Sequence, residues 1–279
     1  MDAFWIILTG SLVAVSCALL GSFLILRKMS MVGDAISHSV LPGIVIAFFI
    51  AGSMQSIWML VGAGILGILT TFLIEFFHQK GRLQTDASIG VTFTWLFALG
   101  VILVTYYAGN AHIDQDCILY GEIAYVPIDL LYNSAGDPIG PKAVVILSVV
   151  LILILAFILL FYKELFVTTF DAAYAKAIGI STTKWHYALM SLVSLTTVAS
   201  FESVGAILVV ALLITPAASA YLITNQLKTM LILSSVFGIL SSFFGYWLSY
   251  LLDGSIAGAM VTVSGIIFAI CYVIVRQRK

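Results

Sequence analysis

The chain has 279 residues, of which 62% are hydrophobic and only 9% are charged, and its mean hydropathy is +1.16. An ordinary soluble domain has about 45–50% apolar residues, so this composition excludes a soluble globular protein. The formal net charge of −1 indicates no particular partner, and we expect membrane lipid but no nucleic acid around the chain. Apolar runs of about 20 residues recur, which predicts an all-α, multi-span membrane protein rather than a barrel of short alternating strands.

The apolar stretches occupy nearly the whole chain, and we assign all of it, residues 1–279, to a single transmembrane domain. The stretches 33–51 and 186–201 are short or flanked by helix breakers, so we expect about eight or nine transmembrane helices. In chain order the stretches run roughly over 4–26, 33–51, 56–77, 88–109, 142–162, 186–201, 203–224, 229–251 and 255–275.

Lysine and arginine placement predicts the orientation of these helices. With the amino terminus outside the cell and the carboxyl terminus in the cytoplasm, eleven of the 12 basic residues fall on the cytoplasmic side. Only Lys142 then lies outside. Cytoplasmic loops of membrane proteins carry an excess of Lys and Arg, so this orientation is favoured over its opposite.

The second apolar stretch carries two ionisable residues, Asp34 and His38, four positions apart. Residues at this spacing project from the same helix face. A carboxylate at the centre of a membrane helix costs about 2.5–3.5 kcal/mol, and such residues usually line a transport pathway. A carboxylate and an imidazole suit Mn²⁺, Fe²⁺ or Zn²⁺ as ligands. We therefore interpret the pair as a transient binding site for a metal ion during transport. The alternative is a capping Asp near the membrane surface and a histidine packed against a neighbouring helix.

One copy of the chain offers only these two ligands at this position, whereas two copies around an axis would offer four. Pro42 and Gly43 follow one turn later, and we expect them to break the helix and expose carbonyl groups. Pro216 interrupts a later stretch rich in Gly and Ala, where the alternatives are tight helix packing and a gate-forming kink. Glu202 is a candidate entrance or gate carboxylate, or simply a residue in contact with water.

The segment 108–142 is predicted to be an extracytoplasmic loop. It contains the spacing H-x-D-x-D-C at His112, Asp114, Asp116 and Cys117. These residues are candidates for an acidic entrance that attracts cations. The alternatives are an exposed polar loop, with one Asp capping a short helix, and a docking surface for another protein.

The segment 163–185 is predicted to be cytoplasmic and is too polar to span the membrane. Asp171 can cap a short helix that continues through Lys176, and Gly179 can end it. Small residues such as Ala175 give this helix a slim face that can enter a groove on a partner protein. The alternative is a connector packed on its own bundle. We expect Glu75 and His78 to reach the membrane interface and His186 to lie at another cytoplasmic border.

Four stretches together resemble the permease subunits of ATP-binding-cassette importers for manganese, zinc or iron. They are LRKMSMVGDAISHSVLPGI at 26–44, HIDQDCILYGEIAYVP at 112–127, FDAAYAKAIGI at 170–180 and SVGAILVVALLITPAASAYL at 203–222. The resemblance covers nearly the whole chain, and the GDAISH segment followed by LPG is the most specific part.

The resemblance implies a metal-chelate-type permease bundle in a bacterial cell membrane. It also implies a second permease, either another copy or a related chain, two cytoplasmic ATP-binding subunits and an extracytoplasmic metal-binding protein. The helix around Asp171, Ala175, Lys176 and Gly179 would dock on the ATPase. The chain has no G-x-x-x-x-G-K-[ST] phosphate loop, so we expect a transport subunit, not an enzyme. No permanent cofactor is expected, only the transported ion.

Two rival functions remain open at this point. A gradient-driven secondary carrier can use a His–Asp pair as a proton relay. A permease of the same type for a metal chelate, such as a siderophore or cobalamin, would need a wide and largely uncharged pathway. The sequence does not choose among Mn²⁺, Zn²⁺ and Fe²⁺, although the second quoted stretch favours manganese, because the same ligand set serves all three ions.

Overall fold

The computed structural model describes residues 2–51, 56–107, 123–132 and 138–277, and helices dominate this part of the chain. Its α-helices are α1 Asp2–Leu26, α2 Val32–Ser39, α3 Leu41–Ala51, α4 Ser56–Gln79, α5 Thr85–Tyr107, α6 Lys142–Leu160, α7 Tyr162–Phe170, α8 Ala172–Ala177, α9 Thr182–Val204, α10 Ala206–Ile223, α11 Leu227–Leu252 and α12 Ile256–Gln277.

Eight stretches of the described residues are long and apolar enough to cross a membrane. One of them, Val32–Ile50, joins α2 and α3, and the others coincide with the long helices apart from α9. An α-helix satisfies every backbone hydrogen bond within its own segment, which is what the bilayer interior requires. The predicted all-α, multi-span fold is therefore confirmed. The predicted stretch 186–201 lies within α9, which at 23 residues is about 34 Å long.

A short antiparallel hairpin follows residue 129, inside the segment predicted to be an extracytoplasmic loop. Strand β1 is Leu130–Tyr132 and β2 is Pro138–Pro141, with Leu131 opposite Gly140. Gly140 has a φ of +148°, which a side chain would strain, and the Trp5 ring lies 3.4 Å from the position of a Cβ there. The hairpin was not predicted from the sequence.

The chain forms two compact units, and the first contains the described residues of Met1–Ser30, Asp116–Phe170 and Ala199–Lys279. Helix α1 is central to this unit and packs against α6, α10 and α11. Gly21 allows a very close approach of α1 to α10, because an added Cβ would overlap the Leu213 carbonyl oxygen. The Ser22 and Ser234 hydroxyl oxygens lie 3.1 Å apart and join α1 to α11. Small residues and hydroxyl pairs are the usual means by which membrane helices pack.

Arg27 follows α1 in the same unit and is held by two hydroxyl groups of α7. Its Nε donates to Thr169 Oγ1 and its Nη2 donates to Thr168 Oγ1, each at 3.2 Å. Burial lowers the pKa of the Arg27 guanidinium to about 10, because water no longer solvates the full charge. The side chain therefore ties the end of α1 to α7.

The second unit contains the described residues of Met31–Gln115 and Asp171–Val198. Helices α2 and α3 pack against α4 and α5. Gly43 and Gly62 bring α3 and α4 together so closely that a Cβ on Gly43 would lie 2.5 Å from the Gly62 carbonyl oxygen. The Ser39 and Thr70 hydroxyl oxygens, 2.7 Å apart, join α2 to α4. This unit contains Asp34 and His38.

Candidate metal-binding site

Helix α2 is a short helix that presents Asp34 in its first turn and His38 in its last. Asp34 is favourable there because a negative charge complements the positive end of the helix dipole. The helix ends at Ser39, and Pro42 lies in the first turn of α3, where a missing N–H is tolerated. Because Pro42 has no N–H, it cannot donate to the His38 carbonyl in the helical pattern.

Asp34 and His38 lie side by side on a face of α2 that remains partly open. His38 Nε2 is 3.6 Å from Asp34 Oδ1, and the side chains are 36% and 32% exposed, respectively. Val32 and Ile36 are completely buried. The sequence periodicity of α2 thus places its apolar residues inside the unit and its two ionisable groups on an accessible side.

Two aromatic rings of α5 stand next to the His38 imidazole. The ring centroid of His38 is 6.0 Å from that of Phe93 and 5.8 Å from that of Phe97, the latter in an edge-to-face arrangement. Aromatic neighbours at such distances restrict the orientation of an imidazole ring. Phe93 and Phe97 could not be identified from the sequence, because nothing in their spacing distinguishes them from the other apolar residues of the span.

The separation of the two ligand atoms is close to that of two ligands of one ion. Atoms that each lie about 2.1 Å from a metal are about 3.0–3.4 Å apart, so a small side-chain adjustment from 3.6 Å suffices. Among the described residues, no group of three or more His, Cys, Asp or Glu side chains is close enough to hold a metal ion. The described part of one chain therefore offers Asp34 and His38 as a two-ligand half of a site.

The remaining predicted site residues are scattered. His112, Asp114 and Asp116 lie outside the described residues. Glu202 falls in α9, and its side chain also lies outside the described part. Pro216 is inside α10, which runs without interruption from Ala206 to Ile223. The suggested entrance and gate roles of these residues stay predictions.

The short helix predicted after Asp171 is present as α8. Asp171 is its N-cap, with the side chain accepting a 2.8 Å hydrogen bond from the Tyr174 N–H. Beyond the helix, Gly179 has a φ of +84°, and the Ile180 N–H donates to the Ala175 carbonyl at 2.9 Å. A glycine in the left-handed region is a common end of a helix. The capping predicted from the sequence is confirmed.

The side chains of α8 divide into a buried one and several exposed ones. Ala175 is completely buried, so it packs inside its unit and is not part of the exposed face. Asp171, Lys176 and Gly179 are exposed, and so are Tyr174 at 55% and Ile178 at 48%. A partner protein would therefore meet the side that carries Tyr174, Lys176 and Ile178.

A second carboxylate–imidazole pair was missed from the sequence. Glu75 of α4 and His186 of α9 approach to 3.2 Å between Oε2 and Nε2, with only 13% and 14% of their side chains exposed. The approach is an ion-pair distance without hydrogen-bond geometry, since His186 Nε2 has no hydrogen-bond partner in the described structure. Glu75 is thus enclosed beside His186, and its position relative to the membrane interface stays a prediction. The two residues are far apart in the sequence, so only the tertiary structure brings them together.

The helical spans and the open ionisable pair of α2 define an integral membrane transport protein. The model of the ABC 3 transport family matches residues 3–276. This chain belongs to the ABC 3 transport family. It is a multi-pass membrane subunit of a bacterial transport system and not an enzyme, since ABC systems of this kind carry their ATPase on a separate subunit.

Named relatives and one solved structure agree with this assignment. The chain is 51% identical over 265 residues to the manganese transport system membrane protein MntD of Bacillus subtilis, covering 95% of this chain and 89% of the relative. It is 44% identical over 267 residues to the zinc transport system membrane protein TroD of Treponema pallidum, covering 96% and 72%. It is similar to the structure of PsaBC from Streptococcus pneumoniae in complex with Fab, with a TM-score of 0.78, 35% identity and coverage of 96% and 90%.

Proposed function

We propose that this chain is the permease subunit of an ATP-driven importer that moves a divalent transition metal into the cytoplasm. Mn²⁺ is the favoured ion, and Zn²⁺ and Fe²⁺ are the alternatives. The observation that carries the proposal is the half-open Asp34–His38 pair, whose atoms are 3.6 Å apart on a helix of a predicted membrane span. The relatives named for manganese and zinc transport support the same class of cargo.

The path of the ion follows from the small number of ligands. An extracytoplasmic binding protein delivers the ion, and Asp34 and His38 replace part of its hydration shell. Two permeases around a common axis supply four such ligands, and separating them opens the site again. A transport site must bind strongly enough to strip water and weakly enough to release the ion. A site divided between two subunits meets both demands.

The predicted orientation completes this scheme. With the amino terminus outside, the segment 108–142 faces the binding protein. The carboxylates of Asp114, Asp116 and Glu202 attract the cation at the entrance, where His112 is a further candidate ligand. Pro42 and Pro216 weaken the helices at positions where a gate can bend. Helix α8 then faces the cytoplasm, where ATP is hydrolysed.

We further propose that the exposed side of α8 docks on the ATP-binding subunit. Tyr174, Lys176 and Ile178 offer an apolar surface with one positive charge, which suits a groove on a partner protein. Ala177→Trp, on the exposed side, should lower the amount of ATPase recovered with the tagged permease by about tenfold while the thermal stability of the permease stays unchanged.

Ala175→Trp is the matched comparison, because Ala175 is completely buried. Unlike Ala177→Trp, this change should lower the thermal stability of the permease, since the larger side chain overfills a packed site. Equal recovery of ATPase with Ala177→Trp and with the unmodified chain would exclude α8 as the docking helix.

The transported ion is identified by elemental analysis of cells with and without this chain. Expression should raise manganese content, and mutation of the partner ATPase alone should abolish the increase. Uptake that persists without the ATPase would indicate a gradient-driven carrier. Uptake that free Mn²⁺ or Zn²⁺ does not compete would indicate a chelate permease.

A further inference from the structure

The buried pair Glu75–His186 has no part in the scheme above, although it is the more enclosed of the two carboxylate–imidazole pairs. The 3.2 Å approach and the 13% and 14% exposure show that both groups are removed from most of the surrounding solvent. Removing one member of a buried pair leaves the other without its partner, so such pairs hold two elements in one relative position. Here the two elements are α4 and α9.

Two further contacts, both on the amino-terminal side of Glu75 in α4 and on the carboxyl-terminal side of His186 in α9, also join the two helices. A Cβ on Gly67 of α4 would overlap the Ser194 hydroxyl oxygen of α9. The Phe72 and Tyr187 rings stack with centroids 6.5 Å apart and planes 28° from parallel. Residue numbers fall along α4 as they rise along α9, so the two helices run antiparallel and move together as long as these contacts persist.

Helix α4 is in turn joined to the helix that carries the proposed metal ligands. The Thr70 and Ser39 hydroxyl oxygens are 2.7 Å apart, and Ser39 is adjacent to His38 in the sequence. Ile36 of the same helix comes within 3.4 Å of the position that a Cβ on Gly67 would take. A shift of α4 therefore acts directly on α2.

The other end of this series of contacts is α8. Only residues 178–181 separate α8 from α9, and they are folded by short-range hydrogen bonds rather than extended. The Gly179 N–H donates to the Lys176 carbonyl at 3.1 Å, and Ser181 Oγ accepts from the Lys184 N–H at 3.4 Å. Since His186 lies in the second turn of α9, a displacement of α8 reaches it over a short and ordered path.

We propose that Glu75 and His186 form a positioning pair that transmits displacement of α8 through α4 to the Asp34–His38 helix. This inference rests on the proposed function, because it explains how docking of the ATPase at α8 changes metal binding by Asp34 and His38. While the pair is intact, α9 and α4 move as one body and α2 follows. Without the Glu75–His186 pair, α8 still moves and ATP is still hydrolysed, but the movement is not transmitted to α2.

The test separates hydrolysis from transport. The complex is purified through a tag on this chain and placed in proteoliposomes that enclose ATP, with the Mn²⁺-loaded binding protein outside. The variants Glu75→Gln and His186→Gln keep side-chain size and polarity but remove the carboxylate–imidazole pairing. We expect the number of Mn²⁺ ions moved per ATP hydrolysed to fall about tenfold in each, within the usual range of coupling between sites. Complex yield and ATP hydrolysis should remain near those of the unmodified chain.

Two further variants make the result specific. Exchange of the pair, Glu75→His together with His186→Glu, should restore the ratio to within about twofold of the unmodified complex, because the same two groups meet again. His78→Asn is the matched control on the same helix end, since His78 is exposed and its Nδ1 lies 2.9 Å from the Leu83 carbonyl oxygen. It should leave the ratio unchanged.

An unchanged ratio in both single variants would overturn the proposal. A parallel loss of yield, hydrolysis and uptake that the exchange does not restore would also overturn it, because the pair would then serve folding alone. Absence of ATP-dependent Mn²⁺ accumulation in the unmodified complex would instead refute the proposed function on which the positioning role rests.

Discussion

Two pairs of the same chemical kind lie in one compact unit of this permease, and they differ in how they are built. Asp34 and His38 belong to one short helix, are 3.6 Å apart and keep about a third of each side chain exposed. Glu75 and His186 belong to two helices, are 3.2 Å apart and are largely enclosed. The comparison shows that residue type alone does not assign a role to a carboxylate and an imidazole in a membrane protein.

Accessibility is what separates the two pairs. A ligand pair must be reachable by the ion and must give up its internal contact when the ion arrives, which an open pair on a helix surface can do. A pair enclosed between helices is instead costly to separate, because each group would remain buried without its partner. The open pair is suited to binding and releasing a metal ion. The enclosed pair is suited to holding α4 and α9 together.

The largest effect is expected from removing the open pair. Asp34→Ala or His38→Ala should lower ATP-dependent manganese uptake at least about 100-fold, because each change removes half of the ligands that the described chain contributes. Uptake is measured as cellular manganese by elemental analysis, and assembly with the ATPase should be unaffected. Ser37→Ala is the control on the same helix, since the Ser37 hydroxyl donates to the Gly33 carbonyl of its own helix. Normal uptake in both variants would remove Asp34 and His38 from the pathway.

A second experiment loosens the helix contact that supports the enclosed pair. Gly67→Ala should lower the free energy of unfolding by about 1–3 kcal/mol, because the new methyl group overlaps the Ser194 hydroxyl. Adding Ser194→Ala should recover most of the loss, since the nearest remaining atom is then the Ser194 Cβ, 3.2 Å from the new methyl group. The measurement is thermal unfolding in detergent.

Gly64 provides a matched control for this experiment. It lies on the same helix less than one turn away, and no atom is found within 4 Å of the position of a Cβ there. Gly64→Ala should therefore keep or slightly raise stability, because alanine is the better helix former. Equal destabilisation by Gly64→Ala and Gly67→Ala would show that the contact with Ser194 is not the cause.

The smallest effect is expected at the hydroxyl pair that joins α2 to α4. Ser39→Ala removes the 2.7 Å contact with Thr70 but leaves the Thr70 hydroxyl its bond to the Leu66 carbonyl. Interhelical hydrogen bonds of this kind in membranes contribute about 0.6 kcal/mol on average. A double-mutant cycle with Thr70→Val, read by thermal unfolding, should give a coupling energy of this size. A coupling energy of zero would mean that α2 is held only by its apolar side.

The composition and the residue spacing were sufficient to predict much of the fold and the proximity of Asp34 and His38. Runs of apolar residues must form helices in a bilayer, so the spans could be drawn without knowing how they pack. Asp34 and His38 are four residues apart, and the geometry of one helix turn is enough to place them together. Asp171 and Gly179 likewise predict their own helix ends, because caps depend on neighbouring residues.

What the sequence by itself determined about this protein is therefore local: a helical membrane chain, the neighbouring Asp34 and His38 side chains on α2 and a capped helix near residue 171. The tertiary structure alone decided which helices meet, and with that the enclosure of Glu75 by His186, the burial of Ala175 and the aromatic neighbours of His38. The physical reason is that a period of 3.6 residues places side chains around one helix axis, whereas contacts between helices depend on close packing of residues far apart in the chain.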